Sequence, residues 1–263
     1  MYRFLLRPRW LVGHLLAVAL VVLLVCLGLW QLRRHDERRQ TNALVASRSE
    51  QVVPLPAEGW SKGADASRLS FRKVRLLGRY QADKEVLVRF RSNQGLPGYH
   101  VLTPMTTPEG SIIVNRGWVP LELGNRWPDP AARPPAGEIA ITGLLRTSQP
   151  ASRFAPTRPT ESAPLSVGAV NVAGLQDRLS MPLYPLYLEL DPSTADTAAS
   201  FPEPLPAPEL DEGPHRAYAA QWFFFAAGAA AGWVILARIS VRRRQLNDPA
   251  ERAISPEGRS QGR

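Results

Sequence analysis

Cysteine is nearly absent from the 263 residues: the only one, Cys26, sits inside an apolar run. An internal disulfide is therefore excluded, and so is any zinc site built on cysteines. Lysine is almost as scarce, with only Lys62, Lys73 and Lys84 among the 32 Lys and Arg residues. The resulting excess of arginine resembles a biased, high-GC bacterial composition. The chain carries a formal charge of +9 and a pI near 10.4, which taken alone would suggest nucleic acid or an anionic membrane surface. The arginines are scattered, however, and no reader motif accompanies them, so no nucleic-acid partner is expected. Also missing are a glycine-rich phosphate loop, a G-x-S-x-G elbow and an H-E-x-x-H pair. Without a nucleophile, a paired base or a metal cluster, the chain does not read as an enzyme.

What the sequence does have is two long apolar segments. The first spans residues 10–32 and the second residues 217–237. Each reaches the roughly 20 residues that a helix needs to cross a hydrocarbon core, so both read as transmembrane helices. The first is too long for a signal peptide and no small-residue cleavage site precedes "QLRRHDERR", so it should stay attached as an anchor. Arg238, Arg242, Arg243 and Arg244 follow the second span, whereas residues 192–215 before it hold five acids and neither Lys nor Arg. This asymmetry places the C-terminus in the cytoplasm. The arginines flanking the first span are ambiguous, but two spans put both termini on one side of the cell membrane.

The layout that follows is a cytoplasmic N-terminus (1–9), a first span (10–32), an extracytoplasmic domain (33–190), a linker rich in Pro and acids (191–216), a second span (217–237) and a basic cytoplasmic tail (238–263) expected to be disordered. The extracytoplasmic domain has the alternation of strands. Val86, Val88 and Phe90 recur at period two, as do Ile139 and Ile141, and Leu186, Leu188 and Leu190. Breaks such as "NQGLPG" and "TTPEG" supply turns. The expected fold is thus two transmembrane α-helices flanking a mainly antiparallel β domain, a barrel or a sandwich, with one short helix near residues 170–180.

Four histidines are present: His14, His35, His100 and His215. His100 lies in "GYHVLTP" and reads as a half-buried strand residue. His14 falls one turn inside the inner end of the first span, where it either serves a function or reaches the headgroups. His215 has company. At 100° per residue Tyr218 lies 60° from it and Trp222 returns within 20°, so the three share a stripe at the outer end of the second span. An aromatic belt at the interface accounts for Tyr218 and Trp222 but not for the histidine. An imidazole beside aromatic walls is what a haem requires, an axial nitrogen for its iron and flat surfaces for its ring. "NRGW", at Asn115 to Trp118, has two readings. One is a glycine-assisted bulge with a tryptophan packed on the sheet; in the other, Arg116 reaches a haem propionate or a partner's carboxylate.

The stretches "GLWQLRR" (28–34), "GYHVLTPM" (98–105), "IVNRGWVP" (113–120) and "GPHRAYAAQWFFFA" (213–226) resemble, in this order, the Surfeit-locus type of cytochrome c oxidase assembly factor. The resemblance covers nearly the whole chain up to the tail. It implies a non-enzymatic role in maturing haem-copper oxidase, helping to deliver or retain haem a for subunit I, with that subunit and the haem a synthesis machinery as partners. It matches Gly28, Trp30, Gln31 and Arg34 to the motif closing the first span, Asn115, Arg116, Gly117 and Trp118 to the central motif, and His215, Tyr218, Gln221 and Trp222 to the last. His215 matches the family's proposed haem ligand. Many members carry a Trp-Lys pair just beyond the Arg34 position where this chain has "HDERRQ", which places His35 there as an optional second axial ligand. A scaffold that binds the nascent oxidase without a cofactor is the alternative within the same family.

Overall fold

The computed structural model describes residues 7–61, 63–150, 165–194 and 201–246. The chain divides into two compact units, residues 1–42 with 211–263, and residues 43–210.

The first unit is a pair of helices. Helix α1 spans Pro8–Ser49 and helix α5 spans His215–Leu246, and both are long and apolar enough to cross a membrane. Helix α1 does not stop where its apolar residues stop. Residues 33–49 contain Arg, Glu, Gln, Ala and Leu with no Gly or Pro, so helix propensity persists after hydrophobicity ends. The Arg34–Glu37 pair at 2.9 Å adds an i,i+3 bond on that stretch. The 33–190 segment is therefore not wholly strand-bearing, since its first residues continue the helix. At the other end, α5 carries on through residues 238–246, which had been expected to be disordered, while 247–263 lie outside the described residues.

Small residues let the two helices approach. A Cβ at Gly28 would stand 2.7 Å from the Phe223 ring, and one at Gly13 would stand 2.6 Å from the Trp233 ring. Both aromatic rings therefore occupy the place a side chain would fill. On α5, Ala219 and Ala226 are buried seven residues apart, marking the face turned to α1.

The second unit holds eight strands: β1 (Val52–Pro54), β2 (Lys73–Tyr80), β3 (Val86–Asn93), β4 (Leu96–Thr107), β5 (Gly110–Pro120), β6 (Ile139–Thr147), β7 (Leu165–Val167) and β8 (Leu183–Leu190). Their order is β1-β2-β6-β8-β5-β4-β3-β7, and an extra β2–β4 pairing at Tyr80 and Met105 closes β2, β6, β8, β5 and β4 into a barrel. Of the two arrangements expected, the barrel is found. Closure removes two sheet edges that would otherwise be open. The pairing is mainly antiparallel, but β1–β2, β3–β7 and β5–β8 run parallel.

The barrel interior is filled by Leu76, Met105, Ile112, Val114, Ile141, Leu145, Leu186 and Leu188. Strands β3, β4 and β5 bury their other faces too. Two single-turn helices, α2 (Ala66–Leu69) and α3 (Leu121–Gly124), flank the strands; Val86, Val88, Leu102 and Ile113 pack under α4 (Val172–Leu179), while Leu87, Val101 and Val119 pack against Trp127. That two-sided burial explains why β5 reads as a continuous apolar run rather than an alternating one. Helix α4 falls where the sequence places it, because Asn171 caps Gly174 N–H at 2.7 Å and Ser180, in the left-handed region at φ 49°, ends it.

The Pro-rich linker departs most from expectation. Residues 195–200 lie outside the described residues, but Phe201 to Leu210 are not a free tether. Trp118 and Glu203 exchange two backbone hydrogen bonds of 2.8 Å. Composition suggests that this segment can bury little, yet it pairs with the buried Trp118 of β5, and Phe201 packs against the cluster of Leu87, Val101, Val119 and Trp127.

Candidate functional site

His215 opens α5 and Gln31 sits on α1, 184 residues earlier, yet His215 Nδ1 and Gln31 Oε1 are 2.9 Å apart. An amide oxygen has no proton to give, so Nδ1 donates and Nε2 is left as a bare lone pair. Gly213, at φ +71°, lies beside that second nitrogen, and a methyl group there would come within 3.5 Å of Nε2 and Cδ2. The missing side chain leaves this side of the ring open. On α5 the half-buried His215, the buried Ala219, the half-buried Trp222 and the buried Ala226 form one stripe. Tyr218 is not on it. It stands half exposed on the flank, where the sequence reading puts it on the shared stripe, and Gln221 is likewise exposed.

The other two histidines of the helical unit are spoken for differently. Trp233 Nε1 donates to His14 Nδ1 at 2.9 Å, with Trp10 and Trp233 rings packed around the imidazole. An indole only donates, so His14 carries its proton on Nε2 and offers no lone pair to a metal from that atom. His35 is buried, and its Nε2 faces a Glu212 oxygen at 3.7 Å. One nitrogen of this optional second ligand is thus directed at a carboxylate, and its Nδ1 has no hydrogen-bond partner among the described residues. Among these three imidazoles, His215 presents the donor set of a metal ligand: an anchored Nδ1–H and a bare Nε2.

The first motif divides in the same way. Gly28 receives Phe223, Gln31 orients His215, and Trp30 and Arg34 are exposed, with Arg34 engaged by Glu37. The structure gives Gln31 a partner that spacing within one helix does not reveal. Phe223, Gly213 and Glu212 have no signal in the sequence that would single them out.

The central motif is built into the barrel wall. The register between β4 and β5 shifts so that Asn115 faces Leu102 and Gly117 faces Val101, leaving Arg116 as the extra residue of a bulge. Arg116 is 5% exposed. Its guanidinium donates to Glu85 Oε1 at 2.9 Å and to Ala132 O at 3.0 Å, and lies 5.7 Å from the Tyr80 ring centre. Thr103 Oγ1 and Trp127 Nε1 complete the Glu85 carboxylate at 2.8 and 2.9 Å. Burial pushes the Glu85 carboxyl above its ordinary range, and these donors pull it back. To reach a propionate the side chain would have to abandon a buried carboxylate.

Asn115 accepts from Gly117 N–H at 3.2 Å, so its amide nitrogen points at His100 Nδ1, also 3.2 Å away. Gly117, at φ +135°, sits against the Glu203 carbonyl, 2.2 Å from where a Cβ would be. The motif therefore makes the bulge and docks the returning segment. Burial, reinforced by Arg91, lowers His100 to about 4. Among the described residues no group of three His, Cys, Asp or Glu side chains is arranged to hold a metal ion.

The sequence matches a described family. The model of the SURF1 family matches residues 18–227, which takes in most of the apolar part of α1, the barrel and the first turns of α5. A SURF1-like protein of Mycobacterium tuberculosis is 30% identical over 249 residues, covering 92% of this chain and 89% of that protein. A SURF1-like protein of Monosiga brevicollis is 26% identical over 241 residues, covering 86% and 88%. Surfeit locus protein 1 of Takifugu rubripes is 27% identical over 154 residues, covering 51% and 62%. These names are those of surfeit-locus proteins and not of enzymes. Most of α1, the strands of the barrel, the start of α5 and the three motifs lie within one matched region, and the chain belongs to the SURF1 family.

Proposed function

We propose that the protein is a membrane-anchored assembly factor for haem-copper cytochrome c oxidase that helps deliver or retain haem a for subunit I. In this reading α1 and α5 cross the cell membrane, both termini are cytoplasmic and the barrel is extracytoplasmic. Its partners are the bilayer, oxidase subunit I and the machinery that makes haem a. Family membership supports the setting. The observation that carries the haem assignment is the His215 ring, held through Nδ1 by Gln31 with Nε2 bare beside Gly213.

The residues fit the group. His215 would supply the axial nitrogen, and Trp222, one stripe position away, an apolar wall. A haem bound there keeps its iron chemistry in the macrocycle, while the protein fixes the imidazole tautomer and shields the ring. His35, facing Glu212, is a neighbour of this site rather than a second ligand.

Deleting the gene and measuring haem a per assembled subunit I tests the role in the cell. The expected result is a lower haem a occupancy in the oxidase that still assembles. Full occupancy with less total oxidase would instead favour the cofactor-free scaffold.

A further inference from the structure

Within the unit formed by residues 43–210, strand register sets three unlike side chains in a row. Lys73 on β2 lies opposite Leu144 on β6, and Leu144 lies opposite Glu189 on β8, so all three stand on one face of the sheet. Asp191, two residues beyond Glu189, falls on the same face. These four line a cavity of about 260 Å³, together with Leu190, Val45 and Ser49 near the end of α1, and the returning segment at Leu205, Pro206, Pro208 and Leu210. Pockets that take drug-sized ligands run to roughly 300–1,000 Å³, so the guest that fits here is small.

The walls are apolar. Leu144, Leu190, Leu205 and Leu210 supply hydrocarbon, and Pro206 and Pro208 have no N–H to offer a ligand. The charges are unequally served. Lys73 pairs with Asp191 Oδ2, and Asp191 Oδ1 accepts from Ser193 N–H at 2.9 Å and from Ser193 Oγ at 2.6 Å, so that carboxylate is satisfied within the protein. The Glu189 carboxylate faces Arg146, whose Nε stands 3.4 Å from Oε2, and among the described residues no hydrogen bond reaches it. Burial raises the Glu189 carboxyl above its ordinary range, and Arg146 pulls it back. Buried carboxylates are normally hydrogen-bonded, and Oε1 of Glu189 has that capacity unused at the wall of an apolar cavity.

We propose that this cavity is a binding site for a small alkylammonium group, with its chain among the leucines and its ammonium on Glu189 Oε1. A carboxylate already approached at Oε2 leaves one oxygen, which suits the point charge of an ammonium better than the two-pronged guanidinium of arginine. An alkyl carboxylate would bring a third negative charge beside Glu189 and Asp191, and an alcohol would exchange a charge-assisted bond for a neutral one. Such an ammonium comes either as a free amine or as the lysine side chain of a partner. The site lies wholly within the barrel unit and does not depend on the haem reading.

The test uses the full chain in nanodiscs with carbon-13 leucine methyl groups, titrated with n-butylammonium chloride, 1-butanol or sodium butyrate. Butylammonium should shift the methyls of Leu144, Leu190 and Leu205 saturably, with a dissociation constant about tenfold or more below that of butanol, and butyrate should leave them in place. Glu189→Gln should remove the preference for the ammonium over the alcohol. Leu205→Trp, which fills the space and leaves the carboxylate intact, should abolish the shifts for both. Acetyl-Gly-Lys-Gly-amide serves as the second probe: shifts of the same methyls identify a partner's lysine as the guest, and shifts with butylammonium alone identify a free amine. Equal affinity for butylammonium and butanol overturns the proposal, as do shifts confined to other leucines or an ammonium preference kept in Glu189→Gln.

Discussion

Gln31 does more than its polarity at the end of an apolar run suggests, because its amide oxygen selects which nitrogen of His215 is left free. Gln31→Leu removes that selection, and the other tautomer or a rotated ring becomes accessible. The expected outcome is a His215 ring whose nitrogen-15 shifts move from the Nδ1–H pattern toward a mixture, in the protein without haem, while Gln31→Glu keeps the Nδ1–H form. A second residue makes a pH prediction. Buried His100 is depressed to about 4 in the fold against about 6.5 in an unfolded chain, so the unfolded state binds more protons between those values. Stability is full above pH 6.5 and is lost as pH falls toward 4, by on the order of 3 kcal/mol at most. Thermal unfolding between pH 7 and 4 should show this loss, and His100→Gln should flatten it.

At the scale of elements, the seam between α1 and α5 depends on the space at Gly28. Leucine there would collide with Phe223, whose ring already stands 2.7 Å from the Cβ position. Overpacking of this kind costs about 1–3 kcal/mol. Gly28→Leu should lower the melting temperature of the solubilised protein and also release His215 from Gln31, seen in the same nitrogen-15 shifts. Phe223→Ala added to Gly28→Leu should recover part of both, since the two changes share one volume. Gly117 plays a similar part in the barrel, where the bulge and the Glu203 carbonyl leave no room for a side chain. In both cases a close approach, not flexibility, explains the glycine.

At the scale of the whole molecule, the parts of the fold readable in advance are those that depend on local periodicity. The two apolar helices, the alternating strands β3, β6 and β8, and the capped α4 all follow from residues near one another in the chain. The extension of α1 to Ser49 was missed because hydropathy ends at Leu32 while helix propensity does not. The parallel β5–β8 pairing and the docking of Glu203 on Trp118 involve residues more than seventy positions apart, and no local pattern encodes them. The site divides along the same line. Helical spacing puts His215, Tyr218 and Trp222 on one stripe, from which the half-exposed Tyr218 departs, and Gln31, Gly213 and the Glu85 partner of Arg116 needed the folded chain.

The central claim is that His215 Nε2 binds the iron of haem a, and the protein purified from cells that make haem a tests it most directly. The reduced spectrum of the wild type should contain haem a, and His215→Ala should lose most of it while keeping its helical and strand content. Haem a retained at the wild-type level in His215→Ala would contradict the account.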